Sequence, residues 1–229
     1  MKKSIIAGII AIVIFSLDAS GQVSFGVKGG LNLSNIKFSE SGISITPNNL
    51  AGFHVGVIAD IPVAANLYVQ PGLFLTQKGF KYSVSENINV LDDDYNISID
   101  LTAKPLYVEL PVLLSYRLPV SNGLSVALEA GPYVAYGIGG NEEVKASASG
   151  ESITESVKFF DDSGTNRFDA GAQFGLGLYV GRFMFGAAYQ MGLVNISPSE
   201  ETELSSDLIM ESAAKAVNRN IVISVGFRF

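Results

Sequence analysis

The sequence predicts an all-β fold, an eight-stranded antiparallel transmembrane up-and-down β-barrel with a polar, packed lumen. Three observations predict it. Eight segments of the 229-residue chain alternate apolar and polar residues. The connections between them alternate short and long. The chain closes on Ile221-Val222-Ile223-Ser224-Val225-Gly226-Phe227-Arg228-Phe229, an alternating run that ends on an aromatic. Period 2 gives a strand one apolar and one polar face. Chain ends of soluble domains tend to be mobile and polar, whereas the last strand of a closed barrel must pair with the first.

Residues 1–21 read as a signal peptide. Lys2 and Lys3 start it, Ile5 to Leu17 form its apolar core, and Ala19-Ser20-Gly21 supplies small residues for cleavage before Gln22. Residues 22–229 are then one barrel domain. The first strand is expected at 23–34, with Val23, Phe25, Val27, Leu31 and Leu33 opposite Ser24, Lys28, Asn32 and Ser34. The second, 50–60, sets Phe53, Val55 and Val57 opposite His54 and Asp60. The third, 66–78, sets Leu67, Val69, Leu73 and Leu75 opposite Tyr68, Gln70, Phe74, Thr76 and Lys78. The fourth, 105–117, sets Val108, Leu110, Val112 and Leu114 opposite Tyr107, Glu109, Ser115 and Arg117.

The fifth, 124–136, sets Val126, Leu128 and Val134 opposite Ser125, Glu129 and Tyr133. The sixth, 167–180, alternates without exception from Arg167-Phe168-Asp169 to Val180. The seventh, 182–191, sets Phe183, Phe185 and Tyr189 opposite Gly186 and Gln190, and the eighth is the C-terminal run. Short turns are expected near Ile61-Pro62, over 119–123 and at Gly181; the long connections are 35–49, 79–104, 139–166 and 192–218. Short turns on one rim and long loops on the other are the pattern of a transmembrane barrel, with the loops outside the cell.

A soluble ligand-binding barrel also has eight alternating strands, but its apolar face points inward. Here charge sits on one face and the other is uniformly apolar. In water that apolar face would be one very large exposed patch. The expected lumen network is Lys28, Asp60, Glu109, Arg117, Glu129, Arg167, Asp169 and Arg228, four acids against four bases. Mutual neutralisation fits a confined space, because an unpaired buried charge costs several kcal/mol.

The chain has no cysteine, which excludes disulfides and thiolate metal sites. After Gln22 no apolar run is long enough for a transmembrane helix. Sixteen of the 22 acids lie in 79–103, 139–166 and 193–218, so the long loops are acidic. That balance speaks against nucleic acid, whose phosphates need clustered Lys and Arg.

Four stretches carry a family resemblance. Phe25-Gly26-Val27-Lys28-Gly29-Gly30-Leu31-Asn32-Leu33-Ser34-Asn35 is one, and Tyr68-Val69-Gln70-Pro71-Gly72-Leu73 with Gln77-Lys78-Gly79 is the second. Tyr107-Val108-Glu109-Leu110-Pro111-Val112-Leu113-Leu114 and Arg167-Phe168-Asp169-Ala170-Gly171 are the others. Together they resemble the outer-membrane β-barrel family widespread in Bacteroidetes, called porin-family or PorT-like, with an OmpA/OmpX-like eight-stranded architecture. The resemblance implies the outer membrane of a Gram-negative cell, outer-membrane lipid and the barrel-assembly machinery as partners, and Phe227 and Phe229 as the C-terminal assembly signal. Some PorT-like members are implicated in protein secretion.

Candidate chemistry is sparse. His54 is the only histidine and falls on the lumen face. A lipid-modifying barrel would need it beside a nucleophile and an acid, and neither is placed, so a packed lumen histidine is expected. Asp92-Asp93-Asp94, Glu142-Glu143, Asp161-Asp162 and Glu200-Glu201 offer carboxylates to divalent cations, but none has the spacing of a dedicated calcium loop. No catalytic, cofactor or metal residues are assigned. Phe80, Tyr82 and Val84, and then Ile97, Ile99 and Leu101, keep period 2 in the second long loop, so strands three and four are expected to continue as a ribbon. Val144 to Phe159 reads the same way. Two function classes follow: a structural or surface-interaction protein working through its loops, with an extracellular protein partner, or a transport or secretion component. A lipid-modifying enzyme is a distant third.

Overall fold

A computed structural model describes residues 22–40, 43–45, 48–90, 93–148, 151–161, 165–196 and 215–229. The expected signal peptide therefore lies outside the described residues. The strands are β1 (Ser24–Glu40), β2 (Ile43–Ile45), β3 (Asn48–Ala64), β4 (Leu67–Gln77), β5 (Phe80–Val90) and β6 (Asp93–Ser121). They continue as β7 (Leu124–Ala148), β8 (Glu151–Lys158), β9 (Phe168–Val180), β10 (Phe183–Gly192) and β11 (Lys215–Arg228).

Eight of them close a ring in the order β1-β3-β4-β6-β7-β9-β10-β11, and β11 pairs back to β1. Every pairing is antiparallel. The closing seam runs from Gly26↔Arg228 to Ser39↔Lys215 without a slip. That length follows from composition: β-branched and aromatic residues line the outer face of β11, and Phe229 N–H still donates to Phe25 O at 2.9 Å. A closed ring leaves no sheet edge in the barrel wall.

The outer face is the apolar one. Phe25, Leu31, Phe53, Phe174, Leu176, Phe183, Ile223 and Phe229 are all exposed. Asn32, Asp60, Gln70, Lys78, Glu109, Arg117, Glu129, Asp169, Gln190 and Asn220 point inward and are buried. This inside-out arrangement suits lipid, where apolar side chains face hydrocarbon and polar ones face each other.

One turn differs from expectation. Ile61 and Pro62 stay in β3, opposite Val69 and Tyr68, and the turn is Ala65-Asn66. Asn66 takes φ 63°, a left-handed value that Asn tolerates. The register slips between Pro62 and Ala64, so the proline sits at an irregularity rather than at the reversal. The other two short turns are Asn122-Gly123 and Gly181-Arg182. Gly123 (φ 78°) and Gly181 (φ 58°) supply the positive φ of tight hairpins.

Two long loops are ordered strand. β5 pairs β6 from Phe80↔Ala103 to Val90↔Asp93, and β7 pairs β8 from Asn141↔Lys158 to Ala148↔Glu151. β6 and β7 themselves stay paired up to Ile97↔Ala148. The result is a four-stranded sheet, β5-β6-β7-β8, standing above the long-loop rim.

Candidate functional site

The lumen is the first candidate site, and it is filled in layers. At the long-loop mouth lies an apolar cluster of Ile36, Phe80, Ala103, Tyr107, Tyr133, Ala135, Phe159, Phe160, Ile196 and Ala216. Phe159 and Phe160 follow β8 and turn inward. The Phe160 ring meets Tyr107 edge-on at 5.5 Å and Phe159 at 5.0 Å. Gly137 faces Phe160 and has no room for a side chain.

Below this cap Lys78 is wholly buried. Its Nζ lies 2.7 Å from Glu109 Oε2 and 3.1 Å from Asp169 Oδ2. It also sits 4.3 Å from the centre of the Tyr133 ring, on whose face a cation is attracted. Asn218 Nδ2 and Tyr133 O–H donate to Asp169 Oδ2 at 3.0 and 3.3 Å. Gln190 Nε2 donates to Glu109 Oε1 at 2.6 Å and to Gln173 Oε1 at 3.0 Å, and Asn220 donates to Gln190. Five strands and the residue after β4 thus share one network built around the Lys78 ammonium.

A second cluster occupies the short-turn half. Asp60 Oδ1 accepts from Arg117 Nη2 at 2.6 Å and from Gln70 at 3.0 Å, and Arg228 lies 3.3 Å from Oδ2. The Arg117 guanidinium is stacked between Tyr68 and Tyr179, at 4.0 and 3.9 Å. Tyr179 donates its hydroxyl to Glu129 Oε1 at 2.6 Å, and Lys28 lies 3.9 Å from Glu129 Oε2. Beside these charges an apolar layer of Ile58, Phe74, Ala127, Tyr179 and Met184 fills the bore.

Seven of the eight expected network residues share these two clusters. Arg167 does not. It lies one residue before β9, at the rim, where it pairs with Asp161 and stacks 5.3 Å from Phe160. Lys78 takes its place, so four acids still meet four bases. Lys78 has the same alternation parity as Gln70 and Thr76, a signal already present in the sequence.

Between the clusters lies a cavity of about 40 Å³, lined by Lys28, Asn32, His54, Thr76, Glu109 and Glu129 among others. That volume holds a few waters. His54 Nδ1 is 3.0 Å from Asn32 Oδ1, so its partner is an amide and not a carboxylate. Phe74 packs against its ring edge-on at 6.0 Å. His54 Nε2 is buried without a hydrogen-bond partner.

The second candidate site is the sheet above the rim. Its two faces differ. Tyr82, Val84, Leu101, Ile99, Val144, Ala146, Ile153 and Val157 lie on one face by register, with the charged Glu142 and Glu155 among them. Lys81, Ser83, Asp100, Thr102, Glu143, Lys145 and Thr154 lie on the other. The Ser83 hydroxyl donates to Asp100 and, with Lys81 at 3.7 Å, holds its carboxyl below the usual range. Glu142 and Glu143 fall on opposite faces, so they do not converge on one cation. Among the described residues no three His, Asp or Glu side chains gather as a metal site. Asp92, Asp162 and Glu200-Glu201 lie outside the described residues.

Phe227 and Phe229 lie on the outer face near the short-turn rim. Phe227 packs edge-on against Phe183 at 5.4 Å and against Phe229 at 5.8 Å.

Known proteins give the following comparisons. No curated protein matches the chain. Among solved structures, the attachment invasion locus protein Ail of Yersinia pestis is similar at 16% identity and TM-score 0.39, covering 91% of this chain and 100% of that one. Neisserial surface protein A is similar at 12% identity and TM-score 0.39, with the same coverage. The N-terminal β-barrel domain of OprF from Pseudomonas aeruginosa is similar at 12% identity and TM-score 0.29, covering 91% of this chain and 100% of that one. The family model for the outer membrane protein beta-barrel domain matches residues 16–197. With its charged lumen, apolar outer wall and closed eight-stranded ring, the chain belongs to the outer-membrane β-barrel domain family and resides in the Gram-negative outer membrane.

Proposed function

We propose that this barrel is a non-enzymatic surface-interaction protein whose working part is the acidic extracellular region above the rim. The observation that carries the reading is the lumen itself. From the mouth inward, an aromatic cap, the Lys78 cluster, a cavity with room for a few waters and the Asp60–Arg117 cluster follow one another. A conducting pore more often carries a continuous polar path with an excess of one sign, whereas these charges are balanced and paired. Energy is invested instead in a sheet raised on the cell's outer side. Its β8 edge, among the described residues, pairs only with β7, and a strand edge offers main-chain groups to a protein partner. His54 bonded to Asn32 gives no support to a lipid-modifying role.

The test is single-channel conductance of the refolded protein in a planar bilayer. The expected record is flat. A large, steady conductance would refute the plugged lumen and favour transport or secretion.

A further inference from the structure

Three prolines stand in near register on adjacent strands of the wall: Pro71 on β4, Pro111 on β6 and Pro132 on β7. Proline has no N–H to give to a ladder and is normally confined to strand edges and bulges. Each of these coincides with a break in pairing at constant register. Between β3 and β4 the ladder stops after Ile58↔Gly72 and resumes at Ile61↔Val69. Between β4 and β6 it stops after Pro71↔Val112 and resumes at Phe74↔Glu109. Between β6 and β7 it stops after Pro111↔Tyr133 and resumes at Leu114↔Ala130. The strands keep their register across each break but have fewer ladder hydrogen bonds there, so this is where the wall is held together least.

A groove of about 480 Å³ opens on the outer face at the first two breaks. Phe25, Val57, Pro71, Leu73, Leu110 and Phe229 line it, all apolar and all turned to the membrane. Its floor is made by Gly26, Ile58 and Gly72, residues whose parity points into the lumen. Ile58 and Gly72 also line the inner cavity with His54 and Lys28. Between groove and inner cavity the wall is therefore only as thick as Ile58 and Gly72. Phe74 closes it from inside: a Cβ on Gly72 would lie 2.5 Å from its ring.

We propose that this groove seats one lipid acyl chain, and that the seam at Pro71-Gly72 is a lateral port through which the chain end reaches the lumen when the Phe74 ring swings aside. The occupant follows from the place and the lining. The groove opens into hydrocarbon and carries no polar side chain, so a flexible alkyl chain is the ligand it accommodates. The cavity behind it is too small for that chain until Phe74 moves, which makes Phe74 the gate.

The test uses the protein refolded in phosphatidylcholine vesicles whose acyl chains carry a diazirine, followed by peptide mapping after photolysis. The expected labels are Leu73 and Leu110 in the groove, above the level at Phe185 and Val225 on another part of the outer wall, together with the lumen-facing Leu113 and Met184. In Pro71→Val/Pro111→Val, which restores the ladder donors, the lumen labels should fall to background while the groove labels persist. Pro71→Val alone, which restores the missing donor between β3 and β4, is the second seal should the double variant fail to fold, and Phe74→Ala should raise the lumen labels. Groove labels no stronger than those at Phe185 overturn the seat. Labels confined to outward residues, or lumen labels unchanged in a folded sealed variant, overturn the port.

Discussion

Lys78 Nζ lies 2.7 Å from Glu109 Oε2, with both side chains almost wholly out of contact with water. The pair is asymmetric. Lys78 keeps Asp169 at 3.1 Å if Glu109 is neutralised, and Gln190 can still donate to a glutamine carbonyl there. Neither acid has another ion-pair partner among the described residues.

The two ends of the pair should therefore differ. Lys78→Met leaves two buried carboxylates without a counter-charge and should destabilise by about 3–5 kcal/mol. Glu109→Gln should cost clearly less. Urea titration in lipid vesicles, read by the heat-modifiable gel shift, orders the two. Equal losses would mean that Asp169 does not hold the ammonium.

Phe174→Arg tests the outward face. Phe174 is 53% exposed and points at hydrocarbon, so the charge should cost about 2–4 kcal/mol if the site is near the midplane. Gln173→Arg, one residue away, faces Gln190 inside the lumen. Its cost comes from crowding and an unmatched charge rather than from lipid. Thinner bilayers should relieve the Phe174 variant and leave the Gln173 variant unchanged.

The mouth cap gives a double-mutant cycle. The three atoms nearest a Cβ on Gly137 would all belong to the Phe160 ring, well inside contact distance. Gly137→Ala should push that ring from the cap and cost about 1–3 kcal/mol, as overpacking does. With Phe160→Ala already present the same change should cost almost nothing. Simple additivity of the two losses would show that the backbone at Gly137, and not Phe160, sets the constraint.

Alternation made much of this fold legible. In β9, Phe168 to Val180 reads outward and Asp169 to Tyr179 inward, and the structure keeps that parity throughout. What parity cannot give is height along the axis. Arg167 and Asp169 share a parity, yet Asp169 is buried in the Lys78 cluster and Arg167 stands at the rim. Nor does it show an apolar layer inside a polar face. Phe74, Ile58 and Met184 sit on the inward side and pack on each other because the lumen is packed as densely as a core, and charges alone would leave gaps. The Ala65-Asn66 turn was obscured by Pro62, whose usual turn preference gives way to a strand irregularity. The union of two ribbons into one sheet depends on β6 and β7 staying paired to Ile97↔Ala148, a long-range match that no single segment displays.

The raised sheet should be separable from the barrel. Ser85 and Ser98 face each other in register, so residues 86–97 can be replaced by Asn-Gly with the remaining β5–β6 ladder intact. The shortened hairpin keeps Phe80 and Ala103 in the mouth cap and Lys78 in its cluster. The variant should still migrate as a folded, heat-modifiable barrel, because loop tips tolerate such change. It should also remain closed in a planar bilayer, since nothing from 86–97 belongs to the described lumen packing. Loss of the folded band would show that the sheet supports the barrel. A conducting state would show that the plug depends on the sheet, and with it the proposed division between a plugged lumen and a working surface would fall.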